Sequence, residues 1–243
     1  MSLMDLIYPR RCHGCGGVVG RESRYFCWDC LAGIAYVESP FCSRCGDPVP
    51  GRIDHDYICY QCSRIRVYFD LARSAVRYEG FVGDALRDLK YNGAVWLSPD
   101  LGRLLHAAAV THYNLLEIDA LCYVPMSSKH QRERGYNQAQ LLAVALSRIM
   151  RKPVRGLGLR RLFMTESQTG LNAAKRMNNV KGAFSSRYER GSSTIMGRHG
   201  LCEGLNILLI DDVMTTGATV NECARVLKRA GANCVYVLTV ARG

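Results

Sequence analysis

The sequence predicts two parts in series: a cysteine-rich segment folded around metal, then an α/β domain built on a parallel sheet. Three observations carry this expectation. Eight of the twelve cysteines fall within residues 12 to 62. The last 39 residues read as strand, glycine-containing turn, helix and strand. Between these ends, residues 67 to 243 alternate strand-like and helix-periodic stretches, the pattern of parallel strands joined by crossover helices on both faces of a sheet.

The cysteine segment comes first. It holds four Cys-x-x-Cys pairs, Cys12 with Cys15, Cys27 with Cys30, Cys42 with Cys45 and Cys59 with Cys62, separated by 11, 11 and 13 residues. Thiolates at such spacing suit tetrahedral Zn2+ at about 2.3 Å, and eight of them make two closed structural sites. The segment repeats itself. Cys12-His-Gly-Cys15-Gly16 recurs 30 residues later as Cys42-Ser-Arg-Cys45-Gly46, and Tyr25-Phe-Cys27-Trp-Asp-Cys30 matches Tyr57-Ile-Cys59-Tyr-Gln-Cys62. Tandem zinc ribbons therefore fill residues 1–65, with Cys12, Cys15, Cys27 and Cys30 on one ion and Cys42, Cys45, Cys59 and Cys62 on the other; an interleaved pairing and a set of redox-active cysteines are the alternatives. The glycine after each second cysteine is expected to turn the chain tightly and aim N–H groups at sulfur. His13 and His55 read as surface residues that the sites do not need. Cys122, Cys202, Cys223 and Cys234 read as small core residues.

The second part spans residues 66–243. SRIRVYFDLARSAVRYEG (63–80) suggests one or two short strands, and apolar residues at helical spacing follow over 81–89 and 97–113, separated by the glycine of KYNG (90–93). IDALCYVP (118–125) reads as a buried strand, MSSKHQRERG (126–135) as a polar loop, and residues 136–150 as a helix. VRGLGLRRL (154–162) is strand-like. A long basic stretch over 163–184 reads as a mobile loop, and 185–200 as the least structured part. LNILLIDDV (205–213) is an apolar strand ending in two acids. A helix with Val220, Cys223, Ala224 and Leu227 on one face follows, capped by Gly231, and CVYVLTVA (234–241) returns as a buried strand.

Composition and charge narrow the function classes. A hydrophobic content of 48% with seven prolines supports an ordinary core and excludes wholesale disorder. The N-terminus lacks the pattern of an export signal, and the longest apolar runs, such as LLAVAL (141–146), fall far short of the roughly 18 residues that span a bilayer. The expectation is an unexported, cytoplasmic protein without membrane insertion. The net charge of +11 is concentrated between Val124 and Arg190, where 14 Lys or Arg face three Glu. Such a band suits a polyphosphate or a nucleic-acid backbone.

The turn Met214-Thr215-Thr216-Gly217-Ala218-Thr219 brings hydroxyls, a glycine and helix-start N–H groups together behind Asp211 and Asp212. A helix N-terminus attracts anions through unpaired N–H donors. The adjacent carboxylates can accept hydrogen bonds from sugar hydroxyls or approach Mg2+. No Walker-type G-x-x-x-x-G-K-[ST] occurs in the chain, and a phospho-acceptor receiver would carry its acids near the start of its domain.

ILLIDDVMTTGAT (207–219) resembles the 5-phosphoribosyl-1-pyrophosphate signature of type I phosphoribosyltransferases. With four upstream Cys-x-x-Cys pairs, RERGYNQA (132–139) and QTGLNAAKRMNNVKGAF (168–184), the whole chain is similar to the ComF family of competence-associated proteins. The fold this resemblance implies is a type I phosphoribosyltransferase-like α/β parallel sheet behind a double zinc ribbon. It implies that Asp211 and Asp212 hold the ribose hydroxyls, that Thr215, Thr216, Gly217, Ala218 and Thr219 wrap the 5-phosphate, and that Arg132, Arg134 and Lys129 face the pyrophosphate. It places Lys175, Arg176 and Lys181 on a flexible hood, with Mg2+ accompanying the sugar diphosphate. MSSKHQ stands where family members more often carry a histidine and an extra arginine.

Some purine-specific relatives carry a general-base aspartate where this chain has Thr215, which cannot take a proton at neutral pH. The acceptor therefore stays unassigned. Two functions follow from the resemblance. One is a DNA-uptake factor that binds the sugar diphosphate and handles single-stranded DNA with its basic band and ribbons, Trp28 and Tyr60 serving either as stacking platforms or as packing against a zinc knuckle. The other is an active phosphoribosyltransferase on an unidentified base or nucleotide acceptor, with no direct DNA role. The resemblance also points to a competence motor ATPase or a recombination mediator as partners.

Overall fold

A computed structural model describes residues 10–19, 24–162, 180, 182–186 and 202–243. Its centre is a four-stranded parallel sheet, β1 (Leu71–Arg77), β2 (Ala120–Tyr123), β5 (Asn206–Met214) and β6 (Cys234–Arg242), in the order β1-β6-β5-β2. The remaining strands, β3 (Leu159–Arg161) and β4 (Phe184–Ser186), form a separate antiparallel pair. Short bridges extend both sheet edges, Tyr36 pairing antiparallel with Val76 and Val154 pairing parallel with Leu121.

Both sheet faces are apolar because strand residues alternate sides. On one side Leu208 and Ile210 of β5 and Leu238 and Val240 of β6 share a core with three helices: α3 (Gly80–Tyr91), α4 (Ser98–His112) and α6 (Gln138–Met150). On the other, Leu209, Val235 and Val237 pack with α7 (Ala218–Arg229). The expected β5-α7-β6 crossover is thus present, with Gly231 at φ 101° just past its helix.

The ribbons show their repeat atom for atom. Cys27 N–H donates to Cys12 Sγ at 3.2 Å and Cys59 N–H to Cys42 Sγ at 3.3 Å. Gly16 and Gly46 have φ of 72° and 69°, so the tight turn after each second cysteine is real. Their own N–H groups, however, bond the carbonyls of Cys12 and Cys42. Backbone N–H groups of both knuckles act on the sulfurs, those of Gly14, Cys15 and Cys27 on Cys12 and that of Asp47, just past Gly46, on Cys45. Each second knuckle opens a short helix, α1 (Trp28–Ala32) or α2 (Tyr60–Arg64).

Both ribbons are anchored to the sheet domain. Buried Asp100 of α4 accepts from the N–H groups of Arg24, Tyr25 and Phe26. Phe26 meets Phe81 of α3 edge to face at 5.1 Å, and His13 contacts Asp88 at 3.2 Å. The second ribbon docks where Ala72 N–H donates to the Arg44 carbonyl; a Cβ on Gly46 would lie 2.9 Å from the Ala72 carbonyl oxygen, so only glycine fits this approach.

Three sequence expectations need correction. The polar stretch 126–135 contains a helix, α5 (Ser128–Arg134), started by Ser127, whose side chain accepts from His130 N–H, and ended by Gly135 at φ 83°. Its apolar periodicity is absent because it buries no face. Residues 154–162 do not form one strand, since Leu157 and Gly158 at φ 46° and 64° break it before β3. Ser185 and Ser186, expected in an irregular stretch, pair in β4.

Candidate functional site

Asp211 and Asp212 lie near the C-terminal end of β5, which stays paired with β6 through Met214 before the chain turns through Thr215–Gly217 into α7. Gly217 takes a left-handed φ of 74°, and a Cβ there would meet Met214 Cε at 2.8 Å. Thr216 Oγ1 accepts from Ala218 N–H at 3.4 Å, and Asn221 N–H closes the first helical turn onto the Gly217 carbonyl at 2.9 Å. Gly217 itself caps α7 without a side-chain bond, and the neighbouring Thr216 hydroxyl takes the Ala218 donor in its place. The acid pair and the anion-receptive turn are therefore held together by one strand end.

The carboxylates differ. Burial and the charge of Asp212 push Asp211 well above the ordinary carboxylate range. Burial pushes Asp212 upward too, but the Lys90 ammonium, 2.6 Å from its Oδ2, outweighs this and holds it below the ordinary value. Burial pulls Lys90 down; Asp212, and more weakly Asp211, reverse that into a net rise. Asp211 Oδ1 also accepts from Asp212 N–H at 2.9 Å. The strand end thus presents one firmly ionised acid and one reluctant one.

Lys90 sits in the last turn of α3, far from the acids in sequence, and no sequence signal marked it. Its neighbours lead to RERGYNQA: the Leu89 carbonyl accepts from Tyr136 O–H, and the Arg134 guanidinium lies 5.3 Å from the centre of the Tyr91 ring. Arg134 also donates to Gln138 Oε1 at 2.7 Å. Buried Asn137 fixes the motif by donating to the Val124 carbonyl at 3.0 Å and capping α6. Arg161 of β3 is a second unsignalled residue, pulled down by burial while feeling Cys223 and Asp211.

Among the other expected pyrophosphate contacts, Lys129 is exposed on α5 beside Glu133 at 3.9 Å, and Arg132 is exposed on the same helix. Lys175, Arg176 and Lys181 lie outside the described residues. A groove of about 490 Å3 runs along α7 from Ala218 to Arg229, with Arg66 and Tyr68 in its lining, and neither acid lines it.

The metal sites are separate. Cys12, Cys15, Cys27 and Cys30 form one quartet and Cys42, Cys45, Cys59 and Cys62 the other, each with its sulfurs within 4.8 Å of one another. The pairing is sequential. A Cys15–Cys27 and a Cys45–Cys59 Sγ separation of 3.6 Å match a tetrahedron drawn around Zn–S bonds of about 2.3 Å. His13 contacts Asp88, and His55 is exposed.

Comparison with known proteins agrees with this division. Residues 3–63 match the double zinc ribbon domain and residues 163–243 the phosphoribosyl transferase domain. Competence protein F of Haemophilus influenzae is 29% identical over 96% of both chains. Over most of its length the chain is similar to competence and DNA utilization proteins. Competence protein ComFC of Bacillus subtilis is 26% identical over 84% of this chain and 78% of its own, and DNA utilization protein YhgH of Escherichia coli K12 is 29% identical over 85% and 86%. Among solved structures, glutamine phosphoribosylpyrophosphate amidotransferase of B. subtilis aligns with 58% of this chain and 25% of its own at 22% identity, with a TM-score of 0.36. That superposition is too loose to support an argument. No helix among the described residues is long and apolar enough to cross a membrane.

Proposed function

We propose that this ComF-type protein binds 5-phosphoribosyl-1-pyrophosphate in the cytoplasm and acts in handling transforming single-stranded DNA. One observation carries the first half: the acid pair lies near the C-terminal end of β5, two residues before the strand gives way to the turn with left-handed Gly217 that starts α7. In this reading Asp211 and Asp212 accept from the pentose hydroxyls. Thr215, Thr216, Gly217, Ala218 and Thr219 surround the 5-phosphate, and Arg132, Arg134 and Lys129 serve the pyrophosphate side, with Lys175 and Arg176 as further cationic candidates from the sequence.

A protein-held Mg2+ does not fit the acid pair. Asp212 already has Lys90 as its counter-ion, and Asp211 resists ionisation. Among the described residues the groups of three or more close metal-ligating side chains are the two cysteine quartets. Those quartets suit Zn2+ with a structural role. Thr215 supplies no base for an acceptor, so the reading is one of binding, with any transfer awaiting an acceptor that brings its own nucleophile.

The DNA half is supported by the names of the relatives, competence and DNA utilization proteins, and by two aromatics. Trp28 and Tyr60 occupy the same position of the two ribbons and are 77% and 69% exposed, with the Arg64 guanidinium 4.8 Å over the Tyr60 ring, which supports a stacking role toward an unpaired base.

Calorimetric titration with 5-phosphoribosyl-1-pyrophosphate tests the first half; Asp212→Ala is expected to abolish binding, and equal affinity in both proteins refutes it. Fluorescence anisotropy with a single-stranded oligonucleotide tests the second. The slope of log K against log salt should be about −0.7 per contacted phosphate, and Trp28→Ala with Tyr60→Ala should weaken binding. A flat salt response refutes the DNA role.

A further inference from the structure

We infer that Lys90 is the resident cation of the sugar-phosphate site, taking the part a divalent metal would otherwise play between the pentose hydroxyls and the diphosphate. The inference rests on reading Asp211 and Asp212 as the sugar-binding acids.

Position is the first argument. The Lys90 ammonium lies 2.6 Å from Asp212 Oδ2, with side-chain exposures of 28% and 7%. The residues flanking it in α3 touch the arginine-bearing segment: the Leu89 carbonyl takes Tyr136 O–H, and the Tyr91 ring carries Arg134. One turn of α3 therefore links the acids to that segment, with Lys90 on the acids.

Chemistry is the second. An ammonium has three donors. One points to Asp212, and its residual exposure leaves the others reachable by ligand oxygens. Its charge cancels that of Asp212, and Asp211 is held toward its neutral form. A polyanion consequently meets no net repulsion at the acids, which is the condition that metal binding would otherwise have to create.

Support is the third. α3 is fixed at its start by Phe81 against Phe26 and near its end by Asp88, which contacts His13 and accepts from Asn92 Nδ2 at 2.6 Å. Being near the C-terminal end of α3 also suits a cation. A lysine so braced is placed rather than merely present on a surface.

The test is calorimetric titration of the full chain, zinc loaded, with 5-phosphoribosyl-1-pyrophosphate and with ribose 5-phosphate, in EDTA at a concentration that spares the ribbons (checked by zinc content) and in millimolar Mg2+. The wild type is expected to lose less than about threefold in diphosphate affinity when Mg2+ is withheld. Lys90→Met should lose roughly 10- to 100-fold without Mg2+, the size of one charge-assisted hydrogen bond, and regain part of it with Mg2+. Its loss on ribose 5-phosphate, which has no diphosphate, should be smaller. Lys90→Arg should stay within about tenfold of wild type, and Lys90→Gln replaces Lys90→Met if the latter misfolds.

Wild-type binding that vanishes without Mg2+, or Lys90→Met binding as wild type without it, overturns the inference while leaving the sugar site intact. If Asp212→Ala binds like wild type, or wild type binds neither ligand in either buffer, the sugar-site reading fails and the role of Lys90 falls with it.

Discussion

Replacing Asp100 by alanine should separate the first ribbon from the sheet domain, and the structure sets the size of the effect. The carboxylate is 3% exposed and its Oδ2 accepts from Tyr25 N–H at 2.6 Å, Phe26 N–H at 3.2 Å and Arg24 N–H at 3.2 Å. Hydrogen bonds to a charged group contribute about 1.5–3 kcal/mol each, and a buried donor left unpaired costs about 1–3 kcal/mol. Tyr25 and Phe26 dominate; Arg24 is exposed and Arg103, at 3.5 Å and half exposed, adds little. The expected loss is about 3–5 kcal/mol, which for a chain of this size lowers Tm by roughly 6–20 °C. Scanning calorimetry at fixed zinc concentration measures it, with Asp100→Asn, which keeps one acceptor oxygen, expected to fall between wild type and alanine. A change in Tm under about 2 °C would show that the ribbon is held by its apolar contacts alone.

Other perturbations separate the remaining parts. Cys42→Ser should destabilise more than Cys15→Ser, because all four sulfurs of the second quartet are buried in a core shared with the sheet whereas Cys15 is exposed; equal shifts in Tm would contradict this. Metal analysis should give about two zinc ions per chain, and about one in either variant. Asp211→Asn should raise Tm at pH 8: a folded-state acid held above its ordinary value of 3.8 is penalised once ionised, and the penalty fades as pH falls below that raised value. Its advantage should therefore disappear toward pH 4, and an advantage independent of pH would exclude this cause. Gly217→Ala should cost about 1–2 kcal/mol and weaken phosphate binding, since the left-handed φ and the Met214 contact both resist a Cβ; unchanged stability by denaturant titration would contradict the strain.

What the sequence made legible was whatever depends on neighbours in the chain. Cysteine spacing and the internal repeat gave the quartets, and the apolar run 207–210 followed by two acids and a glycine turn gave β5 and the start of α7. Contacts between distant segments were invisible. Lys90 looks like any polar residue beside a helix-ending glycine, and only packing of α3 against the sheet brings it to Asp212. Asp100 reads as a first-turn acid of a helix, whereas its main partners are backbone N–H groups of the ribbon. Helix α5 escaped because all-polar sequence has no periodicity to detect, its two ends being set by Ser127 and Gly135 instead.

The two ribbons differ in how their charge is met. A Zn2+ held by four thiolates carries a net charge of −2, which is costly to bury without compensation. The first quartet has Cys15 exposed, so water screens it. The second is buried, and two arginines that are themselves 8% exposed stand beside it: Arg73 of β1, which donates to the Ser43 carbonyl and lies 4.5 Å over the Phe41 ring, and Arg242 of β6, which donates to Asp47 at 2.8 Å. The two arginines offset part of that charge, Arg242 sharing its own with Asp47. Even without zinc, the Cys62 thiol and the Arg242 charge hold Cys45 down to about 5, so the arginines still face a thiolate. β6 pairs with β5, and β1 with β6, so the second ribbon is fixed to strands on one side of the one that carries Asp211 and Asp212, while the first braces α3 and Lys90. Metal binding at both ends of the repeat thereby converges on one acid pair.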